Sequence, residues 1–137
     1  MKVFFDTSAF IKRYVDEPGS DQVIKICSEA EQLILCVLCI PEMISTLNRL
    51  VREKRLAKNL YMRTKSYIVT DLEDIAVCNI TPEVLRQAVR CLENNPLRAM
   101  DALHVAAALV TGPDLFISSD ARQITSAKKE GLRVQKI

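Results

Sequence analysis

The sequence predicts an α/β fold: a three-layer α/β/α sandwich with a central, mostly parallel sheet and a helical hairpin arm. Three observations predict it. Short apolar runs at residues 3–5, 33–38, 75–80 and 115–118 alternate with longer segments of helical period. Strands joined by crossovers of that length pair in parallel and take helices on both faces. The length of 137 residues, with 49% hydrophobic and 26% charged, suits one domain over residues 1–137 and a packed core rather than a disordered chain.

Each element has a local reason. Residues 3–5 form a short apolar strand that ends on Asp6, and Thr7 and Ser8 are candidate caps for a helix to about Val15. Glu17-Pro18-Gly19-Ser20 is a turn, after which Ser20 or Asp21 caps a helix to about Glu31. A second strand covers residues 33–38. Pro41 opens a long helical pattern in which Ile40, Met43, Ile44, Leu47, Leu50 and Val51 recur at helical spacing. A break near residues 57–59 folds it back as a hairpin ending near Asp74. A third strand follows at 75–80. Thr81-Pro82-Glu83 is a helix start, with a Thr cap and Pro in the first turn, and that helix runs to about Glu93. An Ala-rich helix at about 98–110 ends at Gly112-Pro113. A fourth strand at 115–118, a helix at 120–130 and a short strand at 132–135 complete the chain.

Composition narrows the function classes. Aromatic residues are 5% and Trp is absent, which argues against a binder that stacks bases on rows of aromatic rings. Net charge is only +2, but it is uneven: Arg49, Arg52, Lys54, Arg55, Lys58, Arg63 and Lys65 share their stretch with the single acid Glu53. That stretch suits a polyanion, and equally a solvated helix face. Five cysteines cannot all pair with one another. The apolar runs are too short to cross a bilayer, and the start of the chain reads as a strand rather than a signal peptide. A reducing cytoplasm is the expected compartment.

Four acids stand out. Asp6 and Asp120 each follow a strand, and parallel sheets place ligands outside the carboxyl ends of their strands. Glu42 and Asp101 lie at helix starts that can open onto the same edge. Singly, Asp6, Glu42 and Asp120 are explained as helix caps or dipole partners. Asp101 is not, because its helix is otherwise mostly apolar and a buried acid there needs a partner or a cation. Gathered at one edge, carboxylates repel unless a positive charge sits among them, and an all-oxygen set favours Mg²⁺ or Mn²⁺ over zinc. Such a cation assists phosphodiester hydrolysis.

Asp6-Thr7-Ser8-Ala9-Phe10 after the first strand, Pro41-Glu42-Met43 at a helix start, residues 98–108 (Arg-Ala-Met-Asp-Ala-Leu-His-Val-Ala-Ala-Ala) and Ser118-Ser119-Asp120 resemble the motifs of PIN-domain ribonucleases. The chain is most like the toxin subunits of VapBC toxin–antitoxin pairs, and the resemblance runs from Lys2 to the last strand. It implies that Asp6, Glu42, Asp101 and Asp120 form a catalytic, metal-binding acidic cluster. Thr7, Ser8 and Arg98 would support it, as would Ser118, which stands where the family usually has Thr. It further implies an RNA substrate, a partner antitoxin and a homodimer joined through the hairpin.

Two rival readings have distinct signatures. An aspartate-nucleophile phosphatase would use Asp6, but such enzymes carry a second acid two residues on, where this chain has Ser8. A non-catalytic RNA- or protein-binding relative would bind RNA regardless of chelator. Cys36-Val37-Leu38-Cys39 reads as core packing, its sulfurs on opposite faces, rather than as a zinc or redox motif. His104, the only histidine, reads first as a structural residue and second as one that orients a carboxylate. Lys12, Arg13 and Tyr14 are candidate groove residues.

Overall fold

The computed structural model describes all 137 residues. Five strands, β1 (Lys2–Phe5), β2 (Gln32–Cys36), β3 (Ala76–Cys78), β4 (Leu115–Ser118) and β5 (Val134–Lys136), form one sheet in the order β3-β2-β1-β4-β5. Every pairing is parallel. The chain steps outward from β1 to β2 and β3, then returns to lay β4 on the other side of β1. The order therefore reverses between β1 and β4, where open α/β sheets leave a crevice at the carboxyl ends of their strands.

Side-chain alternation along β1 divides the core in two. Val3 and Phe5 face one layer, with α1 (Thr7–Phe10), α2 (Ser20–Glu29), α3 (Cys39–Arg52) and α4 (Lys58–Asp71). Phe4 faces the other, with α5 (Pro82–Asn94), α6 (Ala99–Thr111) and α7 (Ala121–Lys129). Phe4 stacks on its register partner Phe116, ring centroids 5.7 Å apart. In α6, Ala102, Ala106, Ala107 and Ala108 are all fully buried, and their small size admits both α5 and the sheet.

Several boundaries differ from the sequence expectation. Of Asp6, Thr7 and Ser8, each read as a cap, Asp6 is the one that caps α1, and the helix tightens after one turn into a 3₁₀ segment, Ile11–Arg13. The cap of α2 is Gly19, at φ 96°. Strand β2 stops at Cys36, and α3 starts two residues before Pro41. The hairpin turns at residues 53–57, earlier than the apolar spacing suggests, with Lys54 at φ 57°. Strand β3 is shorter than expected and β5 starts later. Thr81 and Gly112 do as read: Thr81 accepts from the Val84 N–H, and Gly112 closes α6 in the left-handed region. Cys36 and Cys39 are both buried, in opposite layers, and all five cysteines are free thiols.

Candidate active site

Asp6 stands where β1 ends, and its backbone N–H still pairs with the Ile117 carbonyl of β4 at 3.0 Å. Its carboxylate is buried and ringed by donors. Ser8 Oγ lies 2.8 Å from each oxygen, and the Ala9 N–H donates to Oδ1 at 3.0 Å. Ser118 Oγ and Gln123 Nε2 donate to Oδ2 at 2.7 and 2.8 Å. Burial pushes the Asp6 carboxyl above the usual carboxylate range, although Ser118, His104, Ser8 and Ala9 all pull it back.

The other acids arrive from three helices. Asp120 caps α7 through the Arg122 N–H at 2.8 Å, while its own N–H donates to Ser118 Oγ at 2.9 Å. Ser118 thus joins Asp6 to the Asp120 backbone. Asp101, in the first turn of α6, accepts from the same Gln123 Nε2 at 3.2 Å. Its carboxyl is raised by burial first and by the Asp120 charge second. Glu42, in the first turn of α3, points to a different partner: Thr7 Oγ1 donates to its Oε1 at 2.8 Å, and His104 Nε2 lies 2.6 Å from the same atom. Burial pushes Glu42 up, but the hydrogen bond and charge of His104, with Thr7, outweigh it and hold the carboxyl below the usual range.

The expected site residues thus form two linked groups. Asp6 and Asp101 meet at Gln123, and Asp120 joins them through its backbone N–H on Ser118 and its charge on Asp101. Glu42, Thr7 and His104 form a second network, tied to the first because Thr7 follows Asp6. As the side chains stand, no three His, Cys, Asp or Glu residues lie close enough together to hold a metal ion. Their chemistry suits a hard cation nonetheless: all four contribute carboxylate oxygens, two of them accept from the one amide nitrogen of Gln123, and Asp120 adds repulsion that a cation would relieve.

Ser8, Ser118 and Thr7 each hold an acid in place, whereas Arg98 is exposed and makes no ion pair. Lys12, Arg13 and Tyr14 do not line a groove. Arg13 Nε and Tyr14 Oη bind Asp71 of α4 at 3.1 and 2.6 Å, and Lys12 holds the Glu17–Pro18 turn. Sequence reasoning missed Gln123. Asp120-x-x-Gln123 at a helix start has the spacing of a capping box, in which the Gln would face its own backbone; only the packing of α7 turns it inward. The largest concavity lies at the amino ends of the strands, lined by Met1, Ile26, Leu115 and Arg133 among others, and contains none of these acids. Asp6 is buried, Glu42, Asp101 and Asp120 are half-buried, and none of the four lines a concavity.

The family model described as PIN domain matches residues 3–129. The chain belongs to the PIN domain family. This PIN domain is 29% identical over 138 residues to Ribonuclease VapC45 of Mycobacterium tuberculosis (strain CDC 1551 / Oshkosh), covering 96% of this chain and 93% of that protein. It is similar to the same extent to Ribonuclease VapC49 of strain ATCC 25618 / H37Rv. Among solved structures it resembles M. tuberculosis VapC20, described as a Sarcin-Ricin loop cleaving toxin, with a TM-score of 0.70, 15% identity and 95% of each chain covered. It also resembles VapBC-1 of nontypeable Haemophilus influenzae, with a TM-score of 0.71, 14% identity, and 99% and 98% covered. At such identities the structural likeness speaks for the PIN fold.

Proposed function

We propose that this PIN domain is an Mg²⁺- or Mn²⁺-dependent endoribonuclease and the toxin of a type II toxin–antitoxin pair. The observation that carries the reading is the convergence of Asp6 and Asp101 on one amide donor at the reversal between β1 and β4, with Asp120 near enough for its charge to act on Asp101. Asp6, Asp101 and Asp120 would hold the cation, with Glu42 as the fourth carboxylate of the set. When bound, the cation supplies a Lewis acid that stabilises charge developing on the phosphoryl and leaving oxygens.

The protein's own groups do the rest. Thr7 and His104 fix Glu42 through Oε1 alone, so Oε2 is the oxygen available to take a proton from the attacking water. Because His104 and Thr7 hold its carboxyl low, Glu42 is ionised for that task. Ser8 and Ser118 hold Asp6 in a single orientation. Arg98, exposed beside Asp101, faces the phosphate backbone. The basic end of the hairpin begins at Arg49, about 10 Å beyond Glu42 along α3 at a helical rise of about 1.5 Å per residue, and steers the polyanion.

An antitoxin chain and a second copy are the protein partners of this reading. On α4, Leu60 and Tyr67 are exposed apolar residues on one side and Met62 and Val69 on the other, and the homodimer of this reading would cover one of these pairs. No helix is long and apolar enough to cross a membrane, and the free thiols suit a reducing cytoplasm.

The test is a cleavage assay on RNA with mapped products. Activity is expected with Mg²⁺ or Mn²⁺ and none with chelator. Asp6→Asn and Asp101→Asn should each lose at least 100-fold in rate, the order expected when one group stabilising the transition state is removed, while keeping the folded circular dichroism spectrum. Full activity in either folded variant would sink the proposal. RNA binding that ignores chelator, with no cleavage, would establish the non-catalytic reading.

A further inference from the structure

Gln123 has no place in the sequence-derived site, yet its side chain sits at the centre of it. The residue is 4% exposed. Its Nε2 lies 2.8 Å from Asp6 Oδ2 and 3.2 Å from Asp101 Oδ1. Its Oε1 is buried and has no hydrogen-bond partner. The two carboxylates settle which end of the amide faces them, since a carbonyl oxygen there would meet two acceptors. One amide nitrogen has two hydrogens, so each carboxylate takes one. The arrangement leaves a buried carbonyl unsatisfied, which is unfavourable, and two charge-assisted hydrogen bonds offset it.

We propose that Gln123 is a positioning residue: it holds the Asp6 and Asp101 carboxylates together when no divalent cation lies between them, and it gives way to the cation. The inference rests on reading these acids as the metal-binding set. An N–H donor and a cation attract the same carboxylate lone pairs and cannot both occupy the space between two oxygens. Gln123 therefore does the cation's electrostatic work without its charge. It keeps two like charges convergent in a buried setting, and its neutral amide leaves more readily than a Lys or Arg would. The consequence is a competition: the tighter the amide clamp, the weaker the apparent affinity for the metal.

The experiment compares the parent chain, Gln123→Met, Asp101→Asn and the double variant D101N/Q123M. Mg²⁺ and Mn²⁺ titrations are followed by calorimetry, and thermal melts are run in chelator and in saturating Mg²⁺. Met keeps the length and apolar bulk but has no donor. Q123M should melt lower than the parent in chelator and bind Mg²⁺ about tenfold tighter, about 1.4 kcal/mol. In the D101N background, where one clamped charge is gone, the Gln-to-Met change should move both quantities less.

Equal melting in chelator together with equal affinity overturns the proposal. So does weaker binding by Q123M, which would make Gln123 a ligand of the loaded site. Should Q123M fold only with Mg²⁺, the clamp is supported. Should it fold under neither condition, a folded D101N/Q123M supports it, and an unfolded one assigns Gln123 to packing and overturns it. A parent chain that binds neither Mg²⁺ nor Mn²⁺ overturns the metal reading and the competition with it. Binding by the parent, with Q123M equal in affinity but lower in melting, overturns the competition and leaves the metal reading standing.

Discussion

At the residue scale, Asp6, Asp101 and Glu42 share one functional group and differ in what surrounds it. Burial raises Asp6, and burial with the Asp120 charge raises Asp101, while His104 and Thr7 bring Glu42 below the usual range despite its own burial. The linkage signs are therefore opposite. Glu42 has a lower carboxyl pKa folded than unfolded, so it stabilises the fold above the unfolded value of about 4.3 and loses that contribution as pH falls through its folded value. Asp6 and Asp101 are raised on folding, so their contribution is present at low pH and lost as pH rises from the usual carboxylate range through their folded values. Glu42→Gln should thus lower stability near pH 7 by about 1 kcal/mol, discounted for partial exposure. The difference should shrink as pH falls below the unfolded value of about 4.3 and close only beneath the lower folded value, where the acid is protonated in both states. Thermal melts in chelator between pH 3.5 and 7.5 measure it, and a difference independent of pH would remove the His104–Glu42 contact as its cause.

At the element scale, two helix ends were legible because their caps need only neighbours in sequence, although α1 had three candidate caps and the cap of α2 differs from those expected. Thr81-Pro82 starts α5 and Gly112 ends α6 as read. Thr81→Ala should cost about 1 kcal/mol, the usual worth of a side-chain N-cap, measurable as a shift of the urea midpoint at constant slope. Ala106→Leu should cost about 1–3 kcal/mol, because α6 has no room for a larger side chain between α5 and the sheet. The Asp6 cap was less legible. Asp6, Thr7 and Ser8 all carry capping side chains, and only the geometry of the β1–α1 corner selects Asp6. The hairpin turn falls earlier than read, because α3 ends at Arg52 and the chain turns through Lys54 at φ 57°.

At the scale of the whole molecule, a modest net charge conceals a polarised surface. Arg49, Arg52, Lys54, Arg55, Lys58, Arg63 and Lys65 are all exposed, and of these only Arg55 forms an ion pair, with Glu53 at 3.3 Å. Neutralising Lys58, Arg63 and Lys65 together should weaken RNA binding without sequence preference. If all three meet phosphates, the slope of log affinity against log salt should flatten by about 2, at roughly 0.7 per phosphate contact on a single strand. Filter binding across a salt series checks this. An unchanged slope would place the RNA elsewhere and leave the hairpin to a protein partner.

The sequence by itself determined the fold class, the order of strands and helices and the residues expected around the acidic site, because period, caps and strand ends are written in neighbouring residues. The two-sided core followed as well, since alternation along β1 allots Phe4 to one layer and Val3 with Phe5 to the other. What only the tertiary structure decided is which acids meet and through what. Ser8, Ser118 and Gln123 reach Asp6 from three parts of the chain, and Glu42 turns to His104, 62 positions away. Such contacts depend on how helices pack against the reversal between β1 and β4. A hydrogen bond made across that packing leaves no period in the sequence, so a buried glutamine at cap-like spacing reads as local until the fold brings two carboxylates to its amide.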